Sequence, residues 1–321
     1  MQKLRFQEFD IIKGILIILV VLGHTNFVGK EVIYWFHMPL FFLISGFFFK
    51  KSKSLEELCN SFKLRLKKYL RPYFCYLLIL SLILYACKII DIDTVFLVKA
   101  LIGGKALHSY FAVFWFITTL LFTNLFYSLI IFYFKESTIY FILLMYLISM
   151  IQYFFNSKYN LTYYVPFNID SSFFAIIFFH IGYVFNSIIK KHNSSFFIKA
   201  NRHILITFFV ILIIIYLFQH IHFIDIKYQE YGLVFINIVI PLIFFVNLFF
   251  LSNRIKKNLL GRVFSYVGDK SLIIMYVHYP ILMLLKNYTS LFLIQLLLCT
   301  VISLFLAFVI KKSQFLSRNL S

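Results

Sequence analysis

Near its start the chain sets Asp10, Lys13 and His24 along one apolar helical segment. Lys13 and His24 are eleven positions apart. On a helix that leaves them about 20° apart in azimuth and roughly 16 Å apart along the axis. Asp10 falls within about 40° of the same line. One stripe thus carries a carboxylate, a cation and an imidazole. An imidazole can take a proton from a hydroxyl near neutral pH. Lys13 can also snorkel and Asp10 can sit at an interface, so those two alone do not define a site. His24 is too deep to snorkel, and an ionisable group at that depth points to function.

Further chemistry-bearing residues follow. A second apolar segment opens with Phe36-His37-Met38-Pro39 and holds Ser45-Gly46. Arg65 and Lys68 are three apart, so they share a helix face, and Arg71 follows. Paired cations suit a phosphate or pyrophosphate, although on spacing alone topogenic charge is the simpler reading. Asp170 opens a later apolar run that contains His180 and Tyr183, and Trp115 begins an earlier one. Ser271 and His278 are seven apart on one face. His220, His222 and Asp225 read as loop polarity, and no metal is expected. No phosphate-binding glycine loop, nucleophile elbow, zinc-protease or dinucleotide signature occurs.

The elements that must position these groups are membrane helices. The chain has 321 residues, 62% of them hydrophobic and 21% aromatic, with a mean hydropathy of +0.90. Apolar runs of bilayer length recur throughout. About ten spans are predicted, near 9–29, 33–49, 72–90, 111–134, 138–156, 171–189, 203–219, 231–251, 270–286 and 289–310. Of 31 Lys and Arg, all but Lys30, Lys88, Lys99, Lys105, Lys158, Lys227 and Lys286 then fall on one side. The positive-inside rule makes that side, and both termini, cytoplasmic. The net charge of +19 is therefore mostly topological and implies no nucleic-acid partner. Segment 50–72 is expected to lie along the inner interface as a partly amphipathic helix, with Pro72 marking the turn into the next span. Cys59, Cys75, Cys87 and Cys299 form no CxxC pair and are expected to be free thiols. No internal repeat and no loop long enough for a soluble domain is visible, so residues 1–321 are expected to form a single all-α polytopic membrane domain.

Taken in order, these residues resemble the acyltransferase 3 family of bacterial membrane proteins, most closely its sugar O-acetylase branch. The opening pattern reads Arg5, Asp10, Lys13-Gly14 and His24, with Lys13 where arginine is more usual. Phe36-His37-Met38-Pro39 with Ser45-Gly46 resembles the second-helix signature. Arg65 and Lys68 match the family's Arg-x-x-Arg motif, Lys68 keeping the charge but losing bidentate geometry. Trp115-Phe116, Asp170, Ile181-Gly182-Tyr183, and Gly268 with Ser271, Tyr276, His278 and Pro280 continue the series.

The resemblance implies about ten spans in a bacterial inner membrane. It also implies transfer of an acyl group, usually acetyl, from cytosolic acyl-CoA to a carbohydrate hydroxyl. The acceptor would be a surface polysaccharide or its lipid-linked precursor. On that reading His24 is the catalytic base on the acceptor hydroxyl or, as the alternative, takes the acetyl group itself, with Asp10 and Lys13 at the donor end. Arg65, Lys68 and Arg71 meet the phosphates of acetyl-CoA. His37, Ser45, Asp170 and His278 line the acceptor side. The chain looks like the standalone form, with no appended soluble domain. A transporter or flippase of sugars or lipid-linked glycans is the rival reading; it predicts two related halves with broken helices, and no such halves are seen.

Overall fold

The computed structural model describes residues 6–161, 164–192 and 224–320. The expected span 203–219, and Arg5, His220 and His222, lie outside the described residues. Within them the fold is all-helical, with one isolated antiparallel bridge between Asp225 and Glu230. In chain order the helices are α1 (Gln7–Gly23), α2 (Lys30–Tyr34), α3 (His37–Phe47), α4 (Leu55–Ala86), α5 (Thr94–Ile102), α6 (Trp115–Tyr133), α7 (Thr138–Tyr159), α8 (Ser171–His192), α9 (Ile236–Ile255), α10 (Leu259–Gly268), α11 (Ser271–Leu285), α12 (Phe292–Lys312) and α13 (Gln314–Leu320). Among the described residues, six helical segments are long and apolar enough to cross a membrane. They are Leu55–Ala86, Ser109–Tyr133, Lys135–Tyr159, Pro166–Lys190, Ile236–Ile255 and Phe292–Lys312. The chain is a multi-pass membrane protein. α7 and α12 leave Leu144, Leu147, Phe155, Leu297, Val301 and Phe305 exposed, as a lipid-facing surface requires.

Helix boundaries differ from the sequence expectation in two informative places. α1 stops at Gly23, so His24 is its C-cap and not a residue of its interior. The Thr25 hydroxyl donates to Leu22 O at 2.7 Å, and this bond satisfies a carbonyl that a further turn would have used. The segment 50–72 is not a separate interfacial helix. From Leu55 it runs unbroken through Pro72 into the following span as the 32-residue α4. Ser54 caps that helix by accepting from Glu57 N at 3.2 Å. Proline is tolerated inside membrane helices where neighbours re-satisfy the freed backbone groups, and Pro72 is buried against the bundle.

The bundle is assembled around α1, which packs on α10 and also touches α3, α9, α11 and α12. Two crossings bring backbones into contact. A Cβ at Gly14 would overlap the Phe264 carbonyl, and one at Gly268 would overlap the Asp10 carbonyl. Likewise Gly46 abuts the Phe179 carbonyl and Gly182 the Leu43 carbonyl, locking α3 onto α8. Small residues allow such approach between membrane helices. Gly23 differs, since its nearest neighbours are side-chain atoms of Tyr34 and Ile33 at 3.5 and 3.7 Å. We therefore expect Gly14→Ala and Gly46→Ala each to destabilise the fold by about 1–3 kcal/mol. Gly23→Ala should leave thermal unfolding of the detergent-solubilised protein unchanged or slightly raised.

Candidate functional site

The charged residues of the early segments meet in one cavity of about 460 Å³. Lys13 enters it from α1, Ser45 from α3, Arg65 and Lys68 from α4, Asn124 from α6 and Ser271 from α11. Lys13 is paired with Asp10 at 2.8 Å, the i, i+3 spacing read from the sequence. Arg65 is braced by a hydrogen bond to the Ser128 hydroxyl and lies over the Phe49 ring, 4.8 Å from its centroid. Its guanidinium is thereby oriented before any anion arrives. Arg71 does not line this cavity.

A second cavity, of about 210 Å³, holds His24, Tyr34, His37, Trp115, Asp225 and Lys227 among its walls. Two imidazoles line it, His24 at the end of α1 and His37 on α3; His278 of α11 adjoins His24 but lines neither cavity. The His24 and His278 ring centroids lie 5.6 Å apart. His24 Nδ1 is 3.4 Å from the Tyr34 hydroxyl, and the Tyr279 ring meets it edge-on at 4.9 Å. His37 Nδ1 donates to Ile33 O at 2.6 Å and His278 Nδ1 to Ile274 O at 2.8 Å. A carbonyl only accepts, so those two rings carry hydrogen on Nδ1. His37 and His278 are buried, whereas His24 is half-buried and faces the open space.

The structure separates residues that the sequence could not sort. Ser45 lines the basic cavity, together with Arg65 and Lys68, and not the histidine cavity. Asp170 lines neither cavity. It is buried in a polar hub, where its carboxylate accepts from Ser171 N at 3.0 Å, from the Gln152 amide at 3.2 Å and from the Gln229 amide. Gln229 also accepts from Lys105 Nζ and Asn156, each at 3.4 Å. Asn168 donates to Lys227 O at 2.9 Å and the Ser171 hydroxyl to Ile226 O at 2.8 Å. The hub thus pins segment 224–230, of which residues 224–228 line the histidine cavity.

Asp225 and Lys227 lie on that pinned segment, and sequence reasoning did not single them out as cavity residues. Asp225 accepts from Lys227 N at 2.9 Å and Tyr228 N at 3.2 Å, a side-chain turn that holds its carboxylate in place. Burial pushes the Asp225 carboxyl up to about 6 and the Lys227 ammonium down to about 8, each charge opposing the other's shift. The sequence signal was slight: a carboxylate and a cation two residues apart in a short loop of an apolar chain.

The comparisons fit this arrangement. The acyltransferase 3 family, described as an acyltransferase domain, matches residues 6–312. The chain belongs to that family. It is a membrane acyltransferase, and the match gives the transporter reading no support. No curated protein matches the chain, and no solved structure does.

Replacing Asp170 by Ala would leave the Gln152 and Gln229 amides without their carboxylate. Unpaired buried donors typically forfeit about 1–3 kcal/mol each. We expect faster backbone hydrogen exchange over 224–231 in Asp170→Ala, with exchange around Arg65–Lys68 unchanged.

Proposed function

We propose that this acyltransferase is an O-acetyltransferase of a bacterial inner membrane. It moves acetyl from cytosolic acetyl-CoA to a hydroxyl of a surface polysaccharide or its lipid-linked precursor. The observation that carries the reading is the pairing of a cation-lined cavity with a histidine-lined one, back to back within one bundle. The basic cavity lies beside the cation-rich segment 50–71, which the positive-inside rule assigns to the cytoplasm together with both termini. The remaining spans of the expected ten, and a single membrane domain over 1–321, belong to the same proposal.

Arg65, Lys68 and Lys13 receive the phosphates of the CoA, with Asp10 fixing the Lys13 ammonium. Arg71 lies farther along α4 and acts only as a cation of the approach. The pantetheine arm then extends along α1 toward His24, a rise of roughly 16 Å. The acceptor hydroxyl approaches from the histidine cavity. In the tautomer whose Nδ1–H donates to the Tyr34 phenol oxygen, His24 Nε2 keeps its lone pair to take the hydroxyl proton. The acceptor oxygen attacks the thioester carbonyl, a C–O bond forms, the C–S bond breaks, and the imidazolium returns the proton to the departing thiolate. His37 is a buried part of the cavity wall, His278 is buried beside the His24 ring, and Ser45 stands on the donor side. Asp170 contributes by holding the acceptor-side loop.

The test is the O-acetyl content of surface polysaccharides, measured by mass spectrometry before and after mild alkali. A deletion strain should lose acetyl, the wild-type gene should restore it, and the His24→Ala gene should not. Unchanged acetylation in all three strains would refute the reading.

A further inference from the structure

Phe116 and Met275 are part of the wall of both cavities. The basic cavity ends against them on one side, and the histidine cavity begins on the other. Both side chains are buried, at 4% and 3% exposure, so they form a dry partition. The two halves differ in stiffness. Phe116 is backed by Phe41 at 5.7 Å, Phe42 at 5.5 Å and Trp115 at 6.3 Å between centroids. Met275 is unbranched and adaptable. It sits on α11 three residues before His278, hence on the same face as the imidazole beside His24.

We propose that Met275, set against the fixed Phe116 ring, determines the length of acyl group this protein transfers and restricts it to short chains. The inference rests on the acyl-CoA reading above. The thioester carbonyl must lie within reach of a hydroxyl held by His24 while the phosphates remain among the cations. That places the carbonyl at the partition, with the acyl tail beyond it. The space beyond is only about 210 Å³, and it must also admit the acceptor. Each added methylene therefore competes with the sugar for volume or collides with the methionine. Met275→Ala deletes three heavy atoms, room for the two further carbons of a butyryl group and not for the four of a hexanoyl group.

The test uses protein reconstituted in proteoliposomes and envelope glycans stripped of esters by mild alkali. An equimolar mixture of acetyl-, butyryl- and hexanoyl-CoA serves as donor, and the esters formed are counted by mass spectrometry. Wild type should give acetyl esters. Met275→Ala should raise the butyryl-to-acetyl ratio by at least about tenfold, the usual scale for chain-length discrimination in an apolar pocket. Phe116→Leu, which trims the opposite wall, should move the ratio the same way. A gain of butyryl transfer cannot come from misfolded protein. An unchanged ratio in both variants, or loss of all transfer in both, would overturn the role of the partition and leave the transferase reading standing. No ester from wild type with any donor would overturn the transferase reading, and this inference with it.

Discussion

Backbone contact at two glycine crossings is the constraint on which the rest of the molecule depends. Gly14 against Phe264 and Gly268 against Asp10 press α10 onto α1. Gly46 against Phe179 and Gly182 against Leu43 do the same for α3 and α8. Lipid offers little hydrophobic drive for association, so close packing must hold these helices together. The α1–α10 contact leads directly into α11 and so sets Ser271 and Met275 beside the Lys13 end of α1. The α3–α8 contact fixes Ser45, one residue from Gly46, at the same cavity. These glycines therefore position the site without touching anything that would bind in it.

Polar groups in the bundle are handled in three ways, each with its own consequence. Asp10 and Lys13 neutralise one another at the cavity edge. His37 and His278 give their Nδ1 hydrogens to carbonyls of their own chain, which fixes the orientation of both rings. Asp170 is surrounded by amide donors and one backbone N–H, an arrangement that makes a buried carboxylate tolerable and turns it into an anchor for 224–230. His24 differs from the other two imidazoles. It caps a helix end, faces open space and has a phenol beside one nitrogen.

Hydropathy made the helical membrane architecture legible, and helical periodicity put Asp10 and Lys13 on one stripe. The family emerged from an ordered set of motif residues, four of them the crossing glycines. Helix ends were less legible. Apolar content carries the α1 pattern past residue 24, but the Thr25 hydroxyl competes for the last carbonyls and stops it. Pro72 reads locally as a boundary, yet tertiary packing carries α4 straight through it. Least legible was which polar residues share a cavity. Ser45 and His37 sit on one short helix, eight residues apart, and open into different cavities. Asp225 and Lys227 look like ordinary loop polarity until the hub formed by Asp170, Asn168 and Gln229 sets them in the lining of the cavity that holds His24.

The central claim is a division of labour between a cationic donor cavity and a histidine on the far side of a partition. Separate measurement of acetyl-CoA binding and of acetyl transfer in the reconstituted protein tests it most directly. The account predicts that Arg65→Ala weakens acetyl-CoA binding. It predicts that His24→Ala binds acetyl-CoA as wild type does and loses transfer by about 10²–10⁴-fold, the range of general-base catalysis. Transfer by His24→Ala at the wild-type rate would contradict it.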